Sequence, residues 1–172
     1  IPKDPWLLIS NTSQEFEARL IPAARAINDG MPAHMIDLLR EGLGSQGFKL
    51  SESKVLIMGY SYLENSDDIR NSPSEDVVSM LKKEGTEVVI HDPYVPKYKG
   101  DIFERIGECH AVLIMVRHQE YLDLNMMRLL ETLAIPVIVD GRNVIEREYD
   151  WFDQMNYKLL GLGFSECEYI NK

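Results

Sequence analysis

This sequence predicts an α/β fold built on a parallel sheet, and three observations predict it. Short apolar runs at 55–58, 88–90, 111–116 and 137–139 alternate with segments whose apolar residues recur at helical spacing, the pattern of strands linked by crossover helices. The run AVLIMV at 111–116 contains no polar residue, so that strand must be covered on both faces. After the first run come Gly59, a polar loop, and then Ser72-Pro73-Ser74-Glu75. That tetrapeptide supplies a cap, a proline at the first helical position and an acid at the third, a strong helix start. Strand, glycine, loop and capped helix open a βαβ unit, so the sheet is expected to be Rossmann-like with right-handed crossovers.

Taken in order, Asp4-Pro5 reads as a turn or helix cap. From 17 to 43 the pattern is helical, with Leu20, Ala24, Ile27 and Met31 on one face, continued by Met35, Leu38 and Leu39. Pro22 suits a first turn, and Pro32 must kink or divide the helix. A helix of this length has apolar surface to hide. It either self-associates, the reading preferred here, or packs on the domain that follows. Residues 42–53, with glycines and serines, read as a linker. The chain thus divides into a kinked helical dimerisation segment, 1–46, and a Rossmann-like domain, 47–172.

Within that domain the helix at 73–84 buries Val77, Val78 and Leu81 and stops at Gly85. The strand at 88–90 leads into His91-Asp92-Pro93, Phe103 and Ile106 fit one face of a short helix, and 121–133 is helical. The strand at 137–139 leads into Asp140-Gly141-Arg142, and 159–164 offers a fifth strand at the edge.

The net charge of −10 and pI near 4.8 argue against a nucleic-acid partner, which needs a basic face. A nucleotide held by a few local cations remains compatible. Cys109 and Cys167 have no metal-like spacing and read as buried thiols. The four histidines form no ligand-like cluster, so no metal is expected, and His118 reads as an exposed loop residue. No apolar run reaches membrane-spanning length and no signal peptide is visible, which points to a cytoplasmic protein. The start at Ile1 suggests a fragment or processed product.

Chemistry is expected where the polar residues gather. Asn65 to Arg70, Asp92, Arg117-His118 and Asp140-Gly141-Arg142 each follow a strand, and in a parallel sheet those ends share one edge. Arg142 beside Gly141 suits a phosphate clamp, or else a surface salt bridge with Asp140 or Asp68. A standard dinucleotide site is not expected, because Tyr60, Ser61 and Tyr62 replace the glycines of G-x-G-x-x-G. Asp92 stands where a ribose-binding acid would, but with Pro93 it more often makes a turn.

The stretch G-Y-S-Y-L-E-N-S-D-D-I-R-N-S-P resembles the signature of the UDP-glucose/GDP-mannose dehydrogenase family, agreeing at Gly59, Asp67, Asp68, Arg70, Ser72 and Pro73. The family's lysine is Leu63 here. The run I-P-K-D-P-W resembles the segment after the family's catalytic cysteine, and Ala24 to Pro32 resembles its long dimer-forming helix. These two look closer to the branch that oxidises UDP-N-acetylmannosamine than to the UDP-glucose branch. The resemblance implies an NAD-dependent enzyme converting a sugar C6 alcohol to a carboxylate through a cysteine thioester. By the same resemblance Asp4 assists catalysis, Lys3 and Arg70 approach NAD, and Tyr62, Leu63 and Arg142 line the UDP-sugar site. It further implies a separate N-terminal NAD-binding domain, a homodimer or larger homo-oligomer, and no activity in this chain alone.

Overall fold

The computed structural model describes residues 4–10, 18–133, 137–145 and 158–161. Helix α1 (Asp4–Ser10) packs against the long helix α2 (Leu20–Ser45). A 3₁₀ turn, Leu50–Glu52, leads into β1 (Lys54–Met58), α3 (Pro73–Lys83), β2 (Glu87–His91), α4 (Ile102–Ile106) and β3 (Ala111–Ile114). Two short helices, α5 (Gln119–Leu122) and α6 (Met126–Thr132), precede β4 (Val137–Asp140) and β5 (Lys158–Gly161).

The five strands form one sheet in the order β2-β1-β3-β4-β5, every pair parallel. Val55 pairs with Val88 on one side and Ala111 on the other, and Ala111 pairs with Val137. Strand order reverses at β1, because the chain goes from β1 outward to β2 and then returns to lay β3 on the opposite side. Such a reversal opens a crevice at the carboxyl edge, between β1 and β3.

Alternation along the strands builds two cores. Val55, Ile57, Leu113, Val137 and Val139 face Leu39 and Leu43 of α2 and Val77 and Leu81 of α3. Leu56, Met58, Val112, Ile114 and Ile138 face Ile102 and Ile106 of α4, Tyr121 and Leu129. β1 beyond Lys54 and all of β3 and β4 are buried, as runs that are apolar up to Asp140 at the end of β4 require.

Helix α2 departs from expectation in two respects. It continues as one element through Pro32 instead of dividing there, because Met35, Ile36, Leu39 and Leu43 anchor its second half in the core. It also runs on to Ser45, taking in residues expected to be linker, since Leu43 is fully buried. Its end is set by Gly47, at φ +82, whose N–H bonds the Gly44 carbonyl. Its second half therefore packs on the following domain, while Leu20 and Ile27 in the first half are exposed. The single helix expected over 121–133 is two, because the Asn125 side chain accepts the Arg128 N–H and starts a new helix.

Candidate functional site

The loop from β1 to α3 forms the wall of the crevice, and backbone geometry fixes both its ends. Gly59 has φ +94, and a Cβ there would overlap Val116 and lie 2.8 Å from its amide, so only glycine lets β1 turn so close to β3. At the other end Ser72 caps α3 by accepting the Ser74 N–H at 3.2 Å and donates to the Ser61 carbonyl. The Ser74 hydroxyl donates to the Gly59 carbonyl at 3.0 Å.

Asp92, fully buried at the end of β2, ties the loop down from behind. One carboxylate oxygen accepts the amides of Tyr60 and Ser61 at 2.7 and 2.9 Å, and the other accepts those of Tyr94 and Val95 at 2.9 and 3.0 Å. His118 Nε2 lies 3.2 Å from the first oxygen. Burial opposes the charge, but the His118 and backbone donors outweigh it and hold the carboxyl well below the usual range. His118 is wholly buried rather than an exposed loop residue. Its Nδ1 accepts the Asn65 N–H at 2.9 Å, which places the ring proton on Nε2, facing Asp92. The Asn65 side chain in turn accepts the Gln119 N–H at 2.9 Å. Beneath this pair, His91 bonds the Tyr121 hydroxyl and the Gly100 carbonyl, and burial lowers its pKa.

Asp140 performs the same service after β4, accepting the amides of Arg142, Val144 and Ile145 at 2.9, 2.8 and 2.9 Å. Both strand-end acids are thus consumed by backbone amides, Asp140 by its own loop and Asp92 by its own loop and the loop after β1. The Arg142 side chain is left free to reach outward, and its partner is Glu64, at 3.2 Å, not Asp140 or Asp68.

Two adjoining clefts, of about 210 and 430 Å³, lie between α2, the start of α3 and the ends of β3 and β4. They share Asn28, Pro32 and Pro73; Arg142 and Gly141 line the first, Tyr62 and Arg25 the second. A Cβ on Gly141 would come within 2.7 Å of Met35, so this glycine lets α2 close over the end of β4. Tyr62 and Arg142 are therefore brought to one crevice. Leu63, 59% exposed, and Asp4, at the exposed start of α1, are not among the residues lining it. Arg70 is also outside, gripping Asp68 at 2.8 and 2.7 Å and holding that carboxyl at about 2. Lys3 falls outside the described residues.

Sequence reasoning missed Arg25 and Asn28, both on α2, because it read that helix only as apolar surface. Arg25 bonds Asp29, yet its Nε is buried with no partner among the described residues. The spacing R-x-x-N, which puts both side chains on one helical face, was the available signal.

The crevice does not fit a dinucleotide in the usual pose. Ser61 stands at the second glycine position, its hydroxyl on the Leu63 carbonyl, and Asp92 has no oxygen left for a ribose. Cys109 is buried and its thiol is pushed up to about 11 by desolvation, so it is no nucleophile. Among the described residues no group of three His, Cys, Asp or Glu could hold a metal ion.

Residues 56–147 match the UDP binding domain of the UDP-glucose/GDP-mannose dehydrogenase family. This chain belongs to that family. A UDP-N-acetyl-D-mannosamine dehydrogenase of Pyrococcus horikoshii is 37% identical over 147 residues, covering 85% of this chain and 34% of the relative. The solved structure of a UDP-D-ManNAc dehydrogenase from the same organism superposes with a TM-score of 0.84 at 32% identity, over 94% of this chain and 37% of that one. An NDP-N-acetyl-D-galactosaminuronic acid dehydrogenase from Methanosarcina mazei gives 0.78 at 34% identity, over 91% and 35%. The chain spans about a third of the length of the dehydrogenases it matches.

Proposed function

We propose that this chain is the sugar-nucleotide-binding part of an NAD-dependent UDP-sugar 6-dehydrogenase that oxidises UDP-N-acetyl-D-mannosamine to UDP-N-acetyl-D-mannosaminuronate. The observation that carries the reading is the position of Arg142, at the mouth of a cleft within the segment that matches the family's UDP binding domain. A guanidinium on a rigid loop, with Tyr62 on the adjoining cleft, suits a diphosphate with its attached ring system. Methionines 31, 35 and 115 give the first cleft an apolar floor. The Pyrococcus relative supports the mannosamine substrate. The Methanosarcina structure favours a second reading, an N-acetylgalactosamine-derived sugar, on comparable identity.

In this reading NAD belongs to a separate N-terminal domain, since the crevice here does not fit it, and the hydrides leave the sugar for that cofactor. Asp4 assists the chemistry, and Lys3 and Arg70 approach NAD. Leu63 lines the sugar-nucleotide site once the whole enzyme is assembled. This chain alone oxidises nothing. The exposed Trp6, Leu7, Leu8, Leu20 and Ile27 form the face through which residues 1–46 pair two copies, leaving 47–172 to hold the nucleotide sugar. No helix among the described residues is long and apolar enough to cross a membrane, and the enzyme works in the cytoplasm, where UDP-sugars for polysaccharide synthesis are made.

Calorimetry with UDP tests the site. Arg142→Ala is expected to weaken binding roughly ten- to a hundredfold, the value of a charge-assisted hydrogen bond. Arg142→Lys should recover only part, because an ammonium lacks the planar fork. Unchanged UDP affinity in Arg142→Ala overturns the assignment.

A further inference from the structure

We propose that Glu64 is a specificity-determining residue: it occupies Arg142 in the free protein and must be displaced by the diphosphate of the ligand. This rests on reading the crevice as a nucleotide-sugar site. The topology makes the contact unusual. β1 and β4 are not neighbours, since β3 lies between them, yet Glu64 from the loop after β1 reaches Arg142 from the loop after β4. The first loop is therefore laid across the carboxyl end of β3 as a strap.

Besides the Tyr60 and Ser61 bonds to Asp92, the strap has a fixed and a releasable attachment on adjacent residues. Asn65 is fixed: it sits in the left-handed region at φ +54, its amide donates to the buried His118, and its side chain accepts the Gln119 amide. Asp92 backs His118 from the other side. Glu64 is releasable. Its single hydrogen bond to Arg142 joins side chains that are 47% and 46% exposed, and such half-exposed pairs hold weakly and are screened by salt.

A phosphate carries more charge and can take the guanidinium through two parallel bonds. It therefore outcompetes the carboxylate, whereas an uncharged nucleoside does not. Leu63, the neighbour on the other side, adds no cation, so the strap presents Arg142 with an anion only. The result is a charge threshold. The ligand must bring enough negative charge to replace Glu64, which favours a nucleoside diphosphate over a nucleoside.

The test is calorimetry of the whole chain at low salt with UDP and with uridine, on wild type, Glu64→Gln, Arg142→Ala and the double variant. Glu64→Gln is expected to bind UDP about two- to fivefold tighter, the scale of an exposed ion pair, with uridine unchanged. The gain should shrink at about 0.5 M salt and be absent when Arg142 is already alanine. UDP affinity unchanged by Glu64→Gln but weakened by Arg142→Ala overturns the role of Glu64 and leaves the nucleotide site standing. Equal tightening of uridine and UDP also overturns it, because the effect would then be steric. UDP binding that ignores Arg142→Ala, or no UDP binding at all, overturns the site and the threshold together.

Discussion

Replacing Asp92 with Asn keeps the shape of the side chain and removes the feature the crevice depends on, two oxygens that both accept. In the wild type each oxygen takes two backbone amides, Tyr60 and Ser61 on one and Tyr94 and Val95 on the other. An asparagine offers one oxygen and one NH₂, so either orientation leaves two buried amides facing a donor. A buried donor left unsatisfied costs about 1–3 kcal/mol, so about 2–6 kcal/mol is expected, a large share of the 5–15 kcal/mol typical of a domain. For a chain of this size each kcal/mol moves the melting temperature by roughly 2–4 °C. Urea unfolding at pH 7 measures the loss, and a change below about 1 kcal/mol would refute the reasoning. The pH dependence gives a second check. Because the folded-state pKa of Asp92 is depressed, its contribution is complete above the unfolded value, about 3.9, and is lost as pH falls through the folded value. The gap between wild type and Asp92→Asn should therefore narrow only below about pH 4. Below about pH 6.5 His91 adds a separate loss, because its burial-lowered pKa makes the fold resist its protonation, and this loss should be no smaller in Asp92→Asn, where the nearby carboxylate charge is gone.

Gly59→Ala forces a side chain into a left-handed residue already against Val116; a loss of about 2–4 kcal/mol in urea unfolding is expected, and an unchanged midpoint would count against the close approach of β1 and β3. The exposed apolar face of α2 predicts that Leu20→Glu with Ile27→Glu lowers the sedimentation coefficient of the chain to that of a monomer, and a wild type already monomeric at high concentration would remove the basis for self-association through that helix.

The strands and their order of appearance were legible because β3 is wholly apolar and β1 and β4 are apolar apart from Lys54 and Asp140 at their ends, a pattern that burial on two faces requires. The capped start of α3 was legible for a local reason, since Ser72 and Pro73 need nothing beyond their own helix to act. What depends on distant partners was not. The extent of α2 and the burial of His118 are set by side chains that meet only after folding, whereas the break between α5 and α6 is a local Asn125 cap that apolar periodicity does not reveal. His118 looked exposed because it is a polar residue one position beyond Arg117 in a loop, while the partners that bury it, Asp92 and Asn65, lie 26 and 53 residues away.

The strand-end polar residues also looked equivalent in sequence, and counting backbone donors separates them. Asp92 and Asp140 each end a strand whose chain turns at once, as Pro93 and Gly141 signal, and a turn exposes several amides to whichever acid stands at its root. Those amides saturate Asp140 and one oxygen of Asp92, whose other oxygen takes Tyr60 and Ser61 from the loop after β1. Arg142 stands in the same turn but has only donors, so nothing in the loop's own backbone N–H groups can hold its side chain, and it reaches across β3 to Glu64. Asp140 therefore staples its loop, and Arg142 is the side chain of that turn which, under the proposed function, meets the diphosphate.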